Sequence, residues 1–171
     1  ESRLDMIETI ISSDPHKARN ELENIDRSDI NTKRGKARHS LLYSMALDKC
    51  GIDICSDSII SPAVENIPRF NIHDRTRCLY YYARIFENRK EYENSMKWLV
   101  RAEDSGRDLK DSDIPALIYA AKGRIYHKSL AYSKAADNYR KAAFHNYSIN
   151  LHHRFISNRL NEADCLLMDN D

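Results

Sequence analysis

Glycine and proline are both scarce in this chain of 171 residues, which contains four of each. The many tight turns of an all-β fold need these two residues, so their scarcity argues against such a fold. Valine and threonine, which favour strands, are also few. The composition therefore predicts helices that are joined by short loops.

The chain also lacks an excess of charge and a long apolar run. Lysine and arginine number 27 against 26 aspartates and glutamates, which gives no electrostatic reason to expect nucleic-acid binding. The longest apolar stretch, Ile114–Ala121, is far shorter than the roughly 20 residues of a membrane span. Hydrophobic residues make up 42% of the chain, so disorder is not expected. We predict a folded region that neither binds nucleic acid directly nor inserts into a membrane.

Four cysteines are too few for a disulfide scaffold at this length. Cys50 and Cys55 flank a predicted loop between helices, so a disulfide between them stays geometrically open. The alternative for each of the four cysteines, which also include Cys78 and Cys165, is a small buried hydrophobic residue. The chain has no CxxC pair, and its seven histidines complete no zinc-binding pattern. We therefore predict no metal and no cofactor.

Apolar residues recur with the period of a helix through nearly the whole chain. This pattern predicts about nine helices, paired antiparallel, and no strand. Pro15 and Pro115 stand where helices are expected to begin, and Pro68 where one is expected to end. Pro62 is expected early in the fourth helix, where it would introduce a kink, and Ser56-Asp57 would cap that helix.

Five positions recur at a step of 40 residues, with small residues matching small ones and large apolar residues matching large apolar ones. The two sets are Ala83, Phe86, Ser95, Leu99 and Ala102, and then Gly123, Tyr126, Ala135, Tyr139 and Ala142. Small residues at such positions let two helices approach closely, while the large ones fill the space between hairpins. Glycine inside a helix costs roughly 1 kcal/mol relative to alanine, so we expect close helix packing at Gly123. A third copy begins at Ala163 and Leu166.

This spacing resembles the tetratricopeptide repeat over about Thr76–Ala143. The resemblance implies an all-α, right-handed superhelix of about four helix hairpins plus a terminal helix. One such domain would cover residues 1–171. Its parts would be a divergent first hairpin (1–30), a divergent second hairpin (31–70), two repeats (72–106 and 112–147) and the first helix of an incomplete repeat (149–171).

The N-terminal half resembles tetratricopeptide-repeat proteins of Bacteroides-type bacteria, through Asp14–Ala18, Ala37–Lys49 and Asp57–Val64. This resemblance implies a module of the bacterial cell envelope, periplasmic or lipid-anchored, that is part of a longer protein. The cytoplasm is the alternative location. The implied function is a protein- or peptide-binding scaffold. The alternative is a sensory or regulatory input region of a longer envelope-anchored or transcription-regulating protein.

In repeat stacks of this type, the first helix of each pair lines a concave groove. The resemblance places these candidate peptide-binding residues there: Arg77, Tyr80, Arg84, Leu117, Arg124, His127 and Lys128. Arg84 and Arg124 occupy equivalent positions, so they would form a basic strip for the carboxylates of an extended peptide. The alternative interpretation is a solvated face whose arginines form local ion pairs.

Three further patterns carry predictions of their own. In the run Tyr80–Tyr82 we expect Tyr82 in the core and at least one other ring at the groove or a neighbouring hairpin. The single tryptophan, Trp98, is expected to pack between hairpins. The basic run Lys33–His39 is interpreted as a solvated loop, because no aromatic residues are interleaved with it.

The chain shows no glycine-rich phosphate loop, no GxSxG and no HExxH motif, so we predict that it is not an enzyme. The terminal helix carries a separate prediction. The apolar face of Asp164–Met168 should pack against something else, either more of the same protein or a second copy in a homodimer.

Overall fold

The computed structural model describes residues 2–26, 28, 30–109 and 111–169. Within these residues the fold is all-α and contains no strand, which confirms the predicted class. Nine α-helices follow one another in the described chain: α1 (Ser2–Ile10), α2 (Pro15–Glu23), α3 (Lys33–Lys49), α4 (Ser61–Glu65), α5 (Ile72–Asn88), α6 (Tyr92–Ser105), α7 (Ile114–Lys128), α8 (Tyr132–Ser148) and α9 (His152–Met168).

The helices form two compact units, which comprise Glu1–Glu91 and Tyr92–Asp171. In unit 1, α3 packs against α1, α2, α4 and α5. Its core contains the large buried side chains Ile7, Ile11, Leu22, Leu41, Leu42, Ile60 and Ile85. In unit 2, α8 packs against both α7 and α9. The boundary between the units falls inside the predicted repeat 72–106, whose first helix lies in unit 1 and second helix in unit 2.

The fourth helix differs from its prediction. It begins at Ser61, after the expected cap at Ser56-Asp57, and ends at Glu65. Pro62 stands in its first turn, where the missing backbone N–H has no partner to lose, so the expected kink is absent. Pro68 does not end this helix but lies in a separate 3₁₀ turn over Ile67–Arg69.

Four helices end in the same turn, and three of these turns follow one another at a nearly constant step. The fourth turn, at Asn150 after α8, has a φ of 60° and lies 20 residues after Leu130. Gly51, Lys90 and Leu130 follow α3, α5 and α7, and each has a positive φ, of 73°, 62° and 59°. The next N–H donates back to a carbonyl in the last helical turn, from Ile52 to Leu47, Glu91 to Phe86 and Ala131 to Tyr126, at 3.0, 2.8 and 2.9 Å. This is the Schellman arrangement, which satisfies carbonyls that the helix end leaves without partners. The steps of 39 and 40 residues match the repeat seen in the sequence.

The repeat-packing residues lie in the interior. Small members such as Ala83, Ser95, Ala102, Ala135 and Ala142 are fully buried, as is Leu99, while Phe86 and Tyr126 are half-buried. Gly123 is buried on α7 against the ring of Tyr139 on α8, at a distance that leaves no room for a β-carbon. This geometry confirms the expected close approach at Gly123.

Two smaller predictions need correction. Tyr80 and Tyr81 are buried and pack edge to face with ring centres 4.9 Å apart, whereas Tyr82, the expected core residue, is half-buried. The basic run Lys33–His39 forms the start of α3 rather than a loop, because Thr32 caps that helix by accepting from the Gly35 N–H.

All four cysteines are free. Cys78 and Cys165 are buried as expected, and burial raises the pKa of the Cys78 thiol to about 12. Cys55 is exposed and Cys50 half-buried, so the interpretation as buried hydrophobic residues is wrong for Cys55. The contrast follows from position, since Cys78 lies inside α5 while Cys55 lies in the loop between α3 and α4.

Candidate binding surfaces

The arginines predicted to line the groove in unit 1 are neutralised within that unit. Arg84 donates from Nε to Asp48 at 3.0 Å and from Nη1 to Glu87 at 2.6 Å. Arg77 donates to Glu8 at 2.6 Å. These contacts match the alternative of local ion pairs. A peptide carboxylate would have to displace a carboxylate of the protein itself to reach either guanidinium.

Tyr80 is 2% exposed, so it does not offer its ring to a groove in this structure. Its position on α5 turns the side chain toward the neighbouring ring of Tyr81 rather than toward solvent. The assignment of Tyr80 to a peptide-binding face is therefore corrected to core packing.

The predicted groove residues of unit 2 all lie on α7. Leu117 and Arg124 are half-buried. The His127 Nε2 lies 3.4 Å from Asp164 on α9, so this side chain connects two helices of the unit. Lys128 is exposed and forms no hydrogen bond or ion pair with the described residues. Of the seven candidates, Lys128 is the cation most open to a partner.

Helix α9 has two faces of different character. The buried face carries the polar side chains Asn158 and Glu162, together with Cys165, which packs in a hydrophobic cluster with Tyr139. Glu162 is held there by Arg140 of α8, whose Nε donates at 2.8 Å, and by Arg159 one turn away. Charge-assisted hydrogen bonds of this kind compensate the burial of a carboxylate. The helix is therefore anchored through its inner face, by the ion pairs of Glu162 and by the packing of Cys165.

The outer face of α9 carries an apolar stripe, here called the α9 stripe: Ile156, Leu160, Ala163 and Leu167. Ile156 is 56% exposed, Leu160 66% and Leu167 70%. The spacing of four, three and four residues keeps all members on one side of a helix. Sequence reasoning located only the C-terminal end of this face, although the spacing alone would have extended it to Ile156.

A hydrogen-bonded cluster in unit 2 was not anticipated. The Tyr119 hydroxyl donates to one Glu103 oxygen at 2.8 Å, and the buried Lys122 pairs with the other. His145 stacks on Tyr119, with ring centres 5.6 Å apart. The cluster ties α6, α7 and α8 together. Its members lie on three helices with no recurring spacing, so no sequence signal marks it.

The ionisation of this cluster follows from its contacts. Burial opposes the charge of Glu103, but hydrogen bonds from Lys122 and Tyr119 outweigh it and lower the pKa. Burial and the bond to Glu103 raise the pKa of Tyr119 to about 12. Burial alone lowers the pKa of His145. At neutral pH the cluster therefore holds a carboxylate–ammonium pair beside a neutral imidazole.

No family model, curated protein or solved structure matches this chain. Among the described residues, no group of three or more His, Cys, Asp and Glu side chains is arranged to hold a metal ion. None of the described helices is both long and apolar enough to cross a membrane. Function is therefore inferred from the surfaces of the two units.

Proposed function

We propose that this chain is a non-catalytic scaffold of tetratricopeptide-repeat type that binds protein partners through exposed helix faces. Two features support the repeat assignment. One is the Schellman turn that recurs at Gly51, Lys90 and Leu130. The other is the contact of Gly123 with Tyr139, at the position where the repeat pattern expects close packing. The observation that carries the binding role is the α9 stripe.

The α9 stripe is costly to leave in water. Covering a Leu or Ile side chain fully gains roughly 1.5–3 kcal/mol, so the stripe offers several kcal/mol to a partner. Ala163 lies between the larger side chains and allows a partner helix to come close. Because the inner face already anchors α9, the stripe is free to bind without disturbing the core.

A second copy of this chain is the partner that the charges beside the stripe favour. Along α9 the stripe fills the a and d positions of two heptads, with Arg159 at g and Asp164 at the following e. In a parallel helix pair, a g residue faces the e residue five positions further along on the partner. Arg159 of each copy would therefore meet Asp164 of the other, flanking the apolar seam on both sides.

Sedimentation equilibrium of the purified chain tests this pairing. We expect a reversible dimer, and we expect Leu160→Glu to make it monomeric at all concentrations measured. Val100→Glu is the matched control, since Val100 is an exposed apolar residue on α6 of the same unit. It should leave the dimer unchanged.

A charge exchange tests the register. Arg159→Glu should weaken the dimer, because Glu would face Asp164 of the other copy, and Arg159→Glu/Asp164→Arg should restore it. Arg140 still holds Glu162 in these variants. If the chain is monomeric at every concentration, the proposed self-association is wrong. If the dissociation constant of the dimer is the same in both charge variants as in the wild type, the parallel register is wrong.

The face of α7 that carries Lys128 is a second candidate surface, within unit 2. Lys128 is its exposed cation, and an acidic peptide segment is its expected ligand. Peptides selected from a displayed library against the purified chain should lose affinity with Lys128→Glu. Lys17→Glu, which changes an exposed lysine on α2, should have no effect. An equal loss of affinity with both variants would indicate non-specific charge attraction and no specific peptide site at Lys128.

A further inference from the structure

A basic pocket lies at the start of α3 in unit 1. It encloses about 380 Å³ and is here called the α3 pocket, lined by Lys33, Lys36, Pro62, Glu65, Asn66 and Arg69. Three of these six side chains are cationic and one is acidic. All of them come from the beginning of α3 and from the α4 region that packs against it.

The cations of the α3 pocket have no carboxylate partner in the part of the chain that the structure describes. Lys33, Lys36 and Arg69 form no ion pair with any described residue. Elsewhere in the same unit, Arg38 and Arg84 are held by carboxylates at short distance. The first turn of α3 contains no acidic residue. Since a helix N-terminus is itself electropositive, Lys33 and Lys36 lie where the charge of a lysine is unfavourable.

Asn66 gives an independent indication of a missing acceptor. This residue lines the α3 pocket and is only 4% exposed, and its buried Nδ2 has no hydrogen-bond partner among the described residues. Buried amide donors are nearly always satisfied in folded proteins. An anionic oxygen in the pocket would supply the acceptor that the chain itself does not.

A second pocket shares Arg69 with the first. It encloses about 740 Å³, and its lining adds the cations Arg34, Arg38 and Arg77, the imidazole of His73 and the carboxylates of Glu8 and Asp74. Arg38 and Arg77 are engaged by Glu8, but Arg34 forms no ion pair with the described residues. Positive charge therefore continues past Arg69. An anion with several charged groups would fit such a row better than a single sulfate or carboxylate.

We propose that the α3 pocket binds an oligophosphate anion. Lys33, Lys36 and Arg69 pair with phosphate oxygens, the Arg69 guanidinium in the bidentate geometry that phosphate favours. The Asn66 amide donates to one of the same oxygens, and Arg34 reaches the next phosphate group along the row. Inorganic tripolyphosphate and the phosphate tail of a nucleoside triphosphate share this chemistry. No bond is made or broken in the pocket.

Calorimetric titration of the whole chain with tripolyphosphate and with ATP, at constant ionic strength, tests the proposal and separates the two sources. Lys36→Gln and Arg69→Gln should each weaken binding by about fivefold or more, a loss that corresponds to one charge-assisted contact. Lys17→Gln makes the same charge change on α2 in the same unit and should leave affinity unchanged. Tighter binding of ATP than of tripolyphosphate would indicate that a nucleoside is also recognised.

Asn66→Ala separates ligand binding from a structural role. Since the Asn66 Nδ2 has no partner in the described chain, its removal should lower affinity while the melting temperature of the free chain stays equal or rises. Equal losses for Lys17→Gln and Arg69→Gln, or equal affinity for sulfate and tripolyphosphate, would overturn the proposal. So would binding of single-stranded RNA that tripolyphosphate does not displace.

Discussion

The ring of Tyr139 lies directly over the α-carbon of Gly123. A β-carbon at Gly123 would stand 2.9 Å from both Cδ1 and Cε1 of Tyr139, closer than side chains tolerate. We predict that Gly123→Ala destabilises the chain by about 1–3 kcal/mol, the usual cost of overpacking, although alanine is the better helix former. Urea unfolding would measure this difference.

The same substitution in a Tyr139→Leu background serves as the control. The smaller side chain makes room for the new methyl group, so Gly123→Ala should there cost less or become stabilising. If the cost is the same in both backgrounds, the ring of Tyr139 is not what makes glycine necessary at this position.

Leu130 should be replaceable with a gain in stability. Its φ of 59° is left-handed, a conformation that costs a non-glycine residue about 1 kcal/mol, and its side chain is exposed. Leu130→Gly is expected to raise the free energy of unfolding by about 0.5–1 kcal/mol. Leu130→Ala keeps the strained backbone and should show no such gain. Thermal unfolding followed by circular dichroism distinguishes the two variants.

Gly51 offers the reverse experiment. It has a φ of 73°, and no atom lies within 4 Å of the place that a β-carbon would occupy. Gly51→Ala should therefore lose about 1 kcal/mol through backbone strain alone. Little or no loss would mean that the turn after α3 changes its conformation.

His145 predicts a dependence of stability on pH. Burial lowers its pKa below the ordinary value of 6.5, so the unfolded chain binds a proton more readily than the folded one. The stability that this neutral imidazole contributes is present above pH 6.5 and is lost as the pH falls below it. Denaturant unfolding between pH 7 and 5 should show a flatter profile for His145→Gln than for the wild-type chain.

The Glu103–Lys122 pair makes a separate prediction at lower pH. Lys122→Met leaves the Glu103 carboxylate with the Tyr119 hydroxyl but without its ammonium, and should cost about 2 kcal/mol at pH 7. Since the folded pKa of Glu103 is lowered, the pair stabilises the fold above pH 4.5 and less so as pH falls below it. The difference in the free energy of unfolding between Lys122→Met and the wild type should therefore shrink as the pH falls below 4.5.

The control for the Glu103–Lys122 prediction is the exposed pair of Lys97 with Glu93 on α6, 2.8 Å apart. Lys97→Met should change stability little, because solvent screens this pair. If Lys122→Met and Lys97→Met lowered the free energy of unfolding equally, the burial of Lys122 would not strengthen its ion pair with Glu103.

Local chemistry made several elements predictable. Pro15 at the first position of α2 and Asp14 as its cap are local signals, which can be recognised in the sequence without knowledge of tertiary contacts. The repeat of 40 residues could likewise be recognised from the sequence alone. Pro62 shows the limit, since a proline in a helical pattern is compatible with a kink or a helix start, and only tertiary packing selects between them.

The candidate sites depended on distant partners and could not be predicted in the same way. Arg84 pairs with Asp48, 36 residues earlier in the chain, and this pair decides whether the guanidinium is open to a ligand. Asn66 looks like any polar residue after a short helix until its burial is known. By contrast, the α9 stripe has a spacing that the sequence displays in full.

The boundary at Glu91 divides the chain into units that each have their own hydrophobic interior. Trp98, the only tryptophan, lies in unit 2 under the guanidinium of Arg101, 4.6 Å from the ring centre. Its fluorescence therefore reports on the surroundings of one helix of unit 2, while circular dichroism sums the helices of both units. Non-coincident transitions by the two probes would show that the two halves of this small protein unfold independently.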